Sequence, residues 1–376
     1  MDKRFRHGAP LLGIRRSSDV VSLMLICIAC MLFVHSSNLR SSIDQIASSA
    51  PSSPGAEVAA PVSALGEREE AGQREAATAA HERLDRRLPA PMNRTGEAQD
   101  QALLVFTKIA RSGGGALGHV LHGLARDGRF TVWNENPYRS HKMLPSSPAR
   151  AMRAVQEMSG VSKPAVVMKQ ISHLNFSAYG FNKPIYVSMV RHPIEHAHSW
   201  FYWLRAPYAV VERALSFGKE EAVNHLPKAT FLKKSFEACV ESGDPECTYL
   251  PGTERVGHPM QAFCTSSPQC WSFGSRAALQ EAKRVVESEY AVVGLLEDWD
   301  TSLTVMEKLV PRFFAGASVL YREKVAANRT QRNENFYKPK LSEAIRQKMT
   351  KNFHTEIEFY QFVKRRLYKQ YESLKG

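Results

Sequence analysis

The stretch 102–128 combines three sequence patterns in an order that restricts the possible folds. The apolar run ALLVFTKI (102–109) is typical of a short buried strand. The turn ARSGGG follows, and the segment 115–128 repeats apolar residues at helical spacing, with Gly128 as a predicted C-cap. A strand that runs through a glycine-rich turn into a helix can hold an anion, because backbone N–H groups at the helix start attract negative charge. A tight turn without a ligand is the alternative.

Further strand and helix patterns alternate along the chain. Apolar runs at 165–169, 184–190 and 289–297 predict strands, and residues 299–314 predict a helix after the last of them. Strands that alternate with helices predict an α/β fold with a mostly parallel central sheet. The tail, 340–374, has apolar residues at helical spacing and predicts one or two long amphipathic helices.

The first 100 residues differ from the rest. A basic leader (1–19) precedes an apolar run, which predicts a cytosolic tail and a transmembrane signal anchor at 20–35 in type II orientation. A cleaved signal peptide is the alternative, although no Ala-x-Ala site follows the run. Residues 36–100 contain no Phe, Trp or Tyr and predict a flexible stem. Residues 101–376 are then the predicted lumenal domain.

Cysteine usage agrees with a lumenal setting. Two of the six cysteines lie in the predicted anchor. The other four form two close pairs, Cys239 with Cys247 and Cys264 with Cys270, a spacing that closes small loops and suits an oxidising compartment. A zinc site is the alternative, but neither pair has the Cys-x-x-Cys spacing, and no metal site is predicted.

The net charge and the glycosylation sequons are also typical of a lumenal protein with a polyanionic partner. The net charge of +13 favours a polyanionic partner, which nucleic acid, anionic lipid and acidic polysaccharide could each supply. Asn93, Asn175 and Asn328 begin Asn-x-Ser/Thr sequons, of which Asn93 and Asn328 are the predicted glycosylation sites. Together with the anchor and the cysteines, they disfavour a nucleic-acid partner.

A second anion-binding pattern spans PIYVSMVRHPIEHAHSWFYWLR (184–205). Arg191 ends the strand pattern, Pro193 fits the first turn of a helix, and Ser199 lies about two turns further on. An arginine at the end of a strand, near a helix hydroxyl, can hold a second phosphate. Because the carboxyl ends of parallel strands share one edge, both patterns are expected there. A surface ion pair with Glu195 is the alternative for Arg191.

Residues 102–372 resemble the Golgi heparan sulfate 2-O-sulfotransferase and uronyl 2-O-sulfotransferase family. The resemblance rests on FTKIARSGGGAL, ISHLNFSAYGFNKPIYVSMVRHPIEHAHSWFYWLR, FEACVESGDPEC, FCTSSPQCW…GSRAALQEAK and EYAVVGLLEDWD…PRFFAGASVLYR. It implies a P-loop-like sulfotransferase fold whose sheet is flanked by helices. It also implies transfer of a sulfuryl group from adenosine 3′-phosphate 5′-phosphosulfate to a uronic acid 2-hydroxyl of heparan, dermatan or chondroitin sulfate.

The resemblance implies roles for residues of both patterns. The residues that would hold the donor's 5′-phosphosulfate are Arg111, Ser112, Gly113, Gly114, Gly115 and Ala116. Arg191 and Ser199 would hold its 3′-phosphate. Arg329 and Thr330 fall where the family closes a loop over the nucleotide, and Lys108 stands where the family has an arginine that contacts the acceptor sugar. The resemblance further implies Golgi localisation, disulfides within both cysteine pairs and a homotrimer.

Two positions depart from the family pattern. Arg111 stands where the family normally has a lysine, so it can stabilise a leaving phosphate but cannot donate a proton at working pH. Gln170 stands at the family's catalytic histidine, and glutamine cannot accept a proton. His173, three residues later, is therefore predicted as the base, with His192 and His198 as alternatives.

Three functions follow from these patterns. The first is an active glycosaminoglycan sulfotransferase, which the two retained donor patterns favour. The second is a catalytically impaired relative that binds donor or sulfated polysaccharide and assists a partner enzyme. The third, an ATP-dependent kinase, is disfavoured because no Gly-Lys-Ser/Thr follows the glycines. Lys169, Arg205, Lys233 and Lys234 are candidate acceptor contacts.

Overall fold

The computed structural model describes residues 102–128, 130–134, 147–215, 217–218, 221–255, 257–264, 268–327 and 338–375. No helix within these ranges is both long and apolar enough to cross a bilayer. The predicted tail, anchor and stem lie outside the described residues, and so do Asn93, Asn328, Arg329 and Thr330.

Five parallel strands form the centre of the domain, in the order β2–β3–β1–β4–β5. Their bounds are β1 (Leu103–Thr107), β2 (Thr131–Asn134), β3 (Ala165–Lys169), β4 (Ile185–Val190) and β5 (Tyr290–Leu295). In the register, Val105 pairs with Val167 on one side and with Tyr186 on the other. The structure confirms the predicted α/β fold with a parallel central sheet, whose carboxyl ends meet at one edge.

The helices follow the strands and fill the connections between them. They are α1 (Gly114–Gly128), α2 (Pro148–Ser159), α3 (Pro193–Arg205), α4 (Pro207–Leu215), α5 (Ala229–Lys233), α6 (Phe236–Glu241), α7 (Arg276–Glu289), α8 (Trp299–Leu309), α9 (Pro311–Phe314), α10 (Ala317–Leu320), α11 (Glu343–Thr350) and α12 (His354–Ser373). Shorter 3-10 turns occur at Phe176–Tyr179, Ala222–His225, Pro259–Phe263 and Pro268–Trp271, and a π turn at Tyr321–Ala326.

Burial explains why the central strands are uninterrupted apolar runs. Every residue of β1 and β3 is buried, as a parallel sheet covered on both faces requires. On one face, Gly118 of α1 lies so close to Met168 that an added Cβ would be 3.3 Å from its Cε. The glycine therefore lets α1 approach the sheet and brings the helix start to the carboxyl edge.

Most of the predicted elements are confirmed, with two differences. The strand β2 was not predicted, because it is a short edge strand with three of its four residues exposed and hence no apolar signal. The helix predicted over 299–314 is wrong in its extent. It ends at Leu309, and Pro311, which cannot donate a backbone hydrogen bond, begins a separate short helix.

A second apolar cluster lies beside the sheet and carries one of the disulfides. Its largest buried members are Ile194, Phe201, Phe236, Phe273, Ile345 and Phe353. Cys239 is bonded to Cys247 and Cys264 to Cys270, with Cα–Cα distances of 5.7 and 5.8 Å. These are the pairings that the family resemblance implied.

Glu356 is a buried carboxyl on α12. It is 2% exposed, and its Oε1 accepts a hydrogen bond of 2.9 Å from the Gly274 N–H. Its Oε2 has no hydrogen-bond partner among the described residues. Burial raises the pKa of this carboxyl to about 7, although the hydrogen bond from Gly274 acts in the opposite direction. Glu356 therefore loses its proton in the folded protein only near neutral pH.

We predict that Glu356→Gln stabilises the domain more at pH 8 than at pH 5. Between the ordinary pKa of 4.5 and the folded value of about 7, the folded protein keeps a proton that the unfolded chain releases. Stability consequently falls as pH rises through this window, by up to about 3 kcal/mol, and the amide removes that fall. The free energy of unfolding, measured with urea at both pH values, checks the prediction.

Glu358→Gln on the same helix is the control. Although its partial burial acts to raise the pKa of Glu358, ion pairs with Lys283 and Arg276 lower it, so its substitution should be more destabilising at the higher pH. An effect of Glu356→Gln that is equal at both pH values would contradict the prediction.

Candidate functional site

The turn between β1 and α1, residues 108–113, is called the anion turn below. Arg111 has φ 61°, a left-handed conformation that is uncommon for a residue with a side chain. Gly113 has φ 88°, and a Cβ there would lie 2.9 Å from Leu296 and 3.0 Å from Trp299. Only glycine fits this position. The backbone is therefore forced into a tight path that leads directly into α1.

The start of α1 offers backbone donors. The first intrahelical bond runs from the Leu117 N–H to the Gly113 carbonyl (3.0 Å), so the N–H groups of Gly114, Gly115 and Ala116 precede the helical ladder. Ser112 is fully buried, and its Oγ has no partner within the described part of the chain. A buried hydroxyl without a protein partner is typical of a site that a ligand completes.

Three contacts join the anion turn to the segment β4–α3. Arg111 Nε donates to Ser199 Oγ at 3.1 Å, and Arg191 Nη1 donates to the Arg111 carbonyl at 3.4 Å. His196 Nε2 lies 2.8 Å from the Ala110 carbonyl. The two anion-binding patterns of the sequence thus lie in contact with each other at the carboxyl edge of the sheet, as the sequence predicted.

His196 was not identified from the sequence, although a signal was present. It lies three residues before Ser199, so both side chains occupy the same face of α3. Burial and the nearby Arg191 lower the pKa of His196 to about 3, while the bond to Ala110 opposes this shift. The ring is therefore neutral at physiological pH. It carries its proton on Nε2, because a carbonyl can only accept.

Positive charge concentrates next to this site. The carboxylate of Glu195 contacts Arg191 (3.6 Å), Lys338 (3.2 Å) and Arg346 (2.8 Å). Burial alone would raise the pKa of Glu195, but these cations lower it to about 2, so it is ionised. Sequence reasoning missed Lys338 and Arg346, because they reach the site only through the packing of the tail against α3.

Lys108 lies at the other end of the anion turn. A Cβ added to Gly114 would be 3.7 Å from its Cγ, so its aliphatic chain lies against the start of α1. Its Nζ donates to Asn134 Oδ1 at 3.0 Å, and its N–H donates to the Lys169 carbonyl at 2.9 Å. The site therefore has two cationic ends, Lys108 on one side and Arg191 with its neighbours on the other.

The predicted base, His173, lies in the interior. It is 5% exposed and packs against the rings of Tyr186 and Tyr290, with centroid distances of 5.0 and 6.2 Å. Its Nε2 is 3.7 Å from Glu289, longer than a hydrogen bond. In this conformation a polysaccharide hydroxyl cannot reach the ring. The geometry therefore does not support His173 as the base.

Of the two alternative histidines, one is enclosed and the other is half-buried. His198 is 1% exposed between Tyr202 and Phe236, and burial, followed by the charge of Lys338, lowers its pKa to about 4. His192 caps α3 and packs edge-on against Tyr360, and burial lowers its pKa as well. Both rings are neutral near pH 7, and the buried His198 ring is not open to a large acceptor.

The candidate acceptor contacts divide into two groups. Arg205 is buried, pairs with Glu246 at 2.6 Å and lies over the ring of Phe201, so it holds the second apolar cluster together. Lys234 pairs with Asp244 at 2.7 Å in the same region. Lys169, by contrast, lies at the carboxyl edge beside Lys108 and pairs with a carboxylate of α2 at 3.4 Å. Lys233 is exposed.

We predict that His196→Ala weakens binding of adenosine 3′,5′-bisphosphate by about tenfold, because the anion turn loses one of its two hydrogen bonds to α3. His196→Gln, whose amide can still donate to Ala110, should retain most of the affinity. Calorimetric titration of the folded variants provides the dissociation constants. His354→Ala, an exposed histidine on α12, is the control. Equal affinity of the His196→Ala variant and the unsubstituted protein would contradict a role in positioning the turn.

Comparison with known proteins agrees with this geometry. Residues 98–363 match a family described as the Sulfotransferase family. A Drosophila melanogaster protein named uronyl 2-sulfotransferase homolog pip is 34% identical over 276 residues, which cover 72% of this chain and 53% of the fly protein. The chain thus spans about half the length of that relative.

Vertebrate relatives match a larger share of their own length. Heparan sulfate 2-O-sulfotransferase 1 of Gallus gallus is 27% identical over 269 residues, 71% of this chain and 70% of the chicken protein. The Homo sapiens protein of the same name is 26% identical over 271 residues, 71% of both chains. The matched region contains the whole sheet and both sides of the site, and the chain belongs to the sulfotransferase family.

Proposed function

We propose that this chain transfers a sulfuryl group from adenosine 3′-phosphate 5′-phosphosulfate to a 2-hydroxyl of a uronic acid in a glycosaminoglycan. Membership of the sulfotransferase family and the names of its relatives support the reaction class. The single observation that carries the proposal is the 3.1 Å contact between Arg111 and Ser199, which makes one site of the two anion patterns. A donor with two anionic ends matches a site in which the anion turn lies against Arg191 and Ser199.

The residues present fit such a donor. The buried Ser112 hydroxyl and the N–H groups at the start of α1 suit the 5′-phosphosulfate. Arg191 and Ser199 suit the 3′-phosphate, with Arg191 Nε buried and without a partner among the described residues. Arg111 lies between the two groups. The donor supplies the sulfuryl group, and the chain binds it, orients it and neutralises its charge.

The transfer step assigns distinct roles to the cations. The bond between sulfur and the 5′-phosphate oxygen breaks, its electrons pass to that oxygen, and the acceptor oxygen bonds to sulfur. Arg111 stabilises the charge that develops on the phosphate. Lys108, at the rim of the anion turn, contacts the acceptor sugar. The acceptor proton passes to solvent water as the new bond to sulfur forms, because Gln170 stands at the family's base position and cannot accept it.

The proposal also includes the polyanionic acceptor, the cell compartment and the oligomeric state. The net charge of +13 suits a polyanionic acceptor. A type II anchor at 20–35 and a stem would hold the domain in the Golgi lumen, where disulfides persist and Asn93 and Asn328 are open to glycosylation. Assembly as a homotrimer belongs to the same expectation.

We predict that the purified lumenal domain binds adenosine 3′,5′-bisphosphate and transfers labelled sulfate to at least one member of a panel of heparan, dermatan and chondroitin sulfates. The panel identifies the acceptor, and adenosine triphosphate is the competing nucleotide. Donor binding without transfer to any acceptor would contradict the enzymatic proposal and favour an accessory role. Preference for adenosine triphosphate would contradict the donor assignment.

We predict that Arg191→Ala and Ser199→Ala each lower the affinity for the bisphosphate, by about tenfold or more for the charged residue. Because Arg111 bonds to Ser199, the effects of Arg111→Ala and Ser199→Ala should not add in the double variant. Titration of the single and double variants measures this coupling. Additive losses would mean that the two residues bind the ligand independently.

A further inference from the structure

Lys338 approaches the same carboxylate oxygen as Arg191. Its Nζ lies 3.2 Å from Glu195 Oε2, and Arg191 Nη2 lies 3.6 Å from that atom. Because both nitrogens contact one oxygen, they are within about 7 Å of each other, a distance that the oxygens of a single phosphate can bridge. Lys338 is therefore placed where it can contact a phosphate that Arg191 holds.

Charge neutralisation alone does not explain this lysine. Glu195 already has Arg346 at 2.8 Å on its other oxygen and Arg191 on the shared one. Burial and the charges of Arg191 and Arg111 lower the pKa of Lys338, while Glu195 opposes this shift. Burial and the neighbouring cations thus disfavour the charged form of Lys338, and a bound anion would favour it.

The groups that face Lys338 come from several elements. Arg111 is in the anion turn, Arg191 follows β4, and His198 lies on α3 with its ring neutral. Glu195 is the carboxylate in direct contact with Lys338. Glu297, the other acid near Arg191, already accepts hydrogen bonds from the His192 N–H (2.9 Å) and the Tyr360 hydroxyl. The described part of the site therefore carries an excess of positive charge.

We propose that Lys338 is a third ligand of the donor's 3′-phosphate, beside Arg191 and Ser199. The inference rests on the proposed function, since it assigns a further residue to that same site. Glu195 and Arg346 act as positioning residues, because the carboxylate fixes Lys338 and Arg191 side by side and Arg346 fixes the carboxylate. The ammonium group acts as a compact charge with three donors, which suits a phosphate that arginine already contacts.

Titration with two nucleotides tests the inference. Adenosine 3′,5′-bisphosphate has the 3′-phosphate, and adenosine 5′-monophosphate lacks it. Lys338→Ala should raise the dissociation constant of the bisphosphate by about tenfold and that of the monophosphate by less than about twofold. Lys338→Arg should restore most of the loss. Lys340→Ala, which removes the same charge from an exposed lysine two residues away, is the matched control.

The possible outcomes separate the two proposals. If the unsubstituted protein binds the bisphosphate and Lys338→Ala binds it equally well, the role of Lys338 is wrong and the proposed function stands. If Lys338→Ala weakens both nucleotides equally and lowers the free energy of unfolding, Lys338 has only a structural role. If the unsubstituted protein binds neither nucleotide, the proposed function itself is overturned, and the role of Lys338 with it.

Discussion

The contact between the anion turn and α3 is the interaction on which the site depends. The turn follows β1 and the helix follows β4, so each is placed by a different strand. The hydrogen bonds of His196 to Ala110 and of Arg111 to Ser199 fix their relative position at the sheet edge. Since β1 and β4 are neighbours in a rigid buried sheet, the distance between the anion turn and α3 is set by the fold.

Much of this arrangement could be predicted from local sequence patterns. Uninterrupted apolar runs identified β1, β3, β4 and β5, because strands covered on both faces must be apolar along their whole length. Parallel pairing then placed Arg111 and Arg191 at one edge, as the structure has them. The exposed edge strand β2 had no such signal. The break in the helix had one in Pro311, which cannot continue a helix, but the apolar pattern runs on past it.

The positions of His173 and Lys338 depend on tertiary packing, so local sequence patterns could not predict them. His173 was assigned as the base from its nearness to Gln170 along the chain, but the segment after β3 turns its ring inward, against Tyr186. Lys338 is remote in sequence from Arg191, and only the docking of the tail on α3 brings both to Glu195. Contacts of this kind depend on how elements pack, which local periodicity does not encode.

The proposed binding of the donor by both of its phosphates has a kinetic consequence. For a donor held by its two phosphates, the groups recognised at both ends are still present after the sulfuryl group has gone. The nucleotide product therefore keeps most of the contacts of the donor, and its departure competes with each new turnover. Under the proposed function, product inhibition and a slow release step are therefore expected of a site built from Arg111, Arg191 and Ser199.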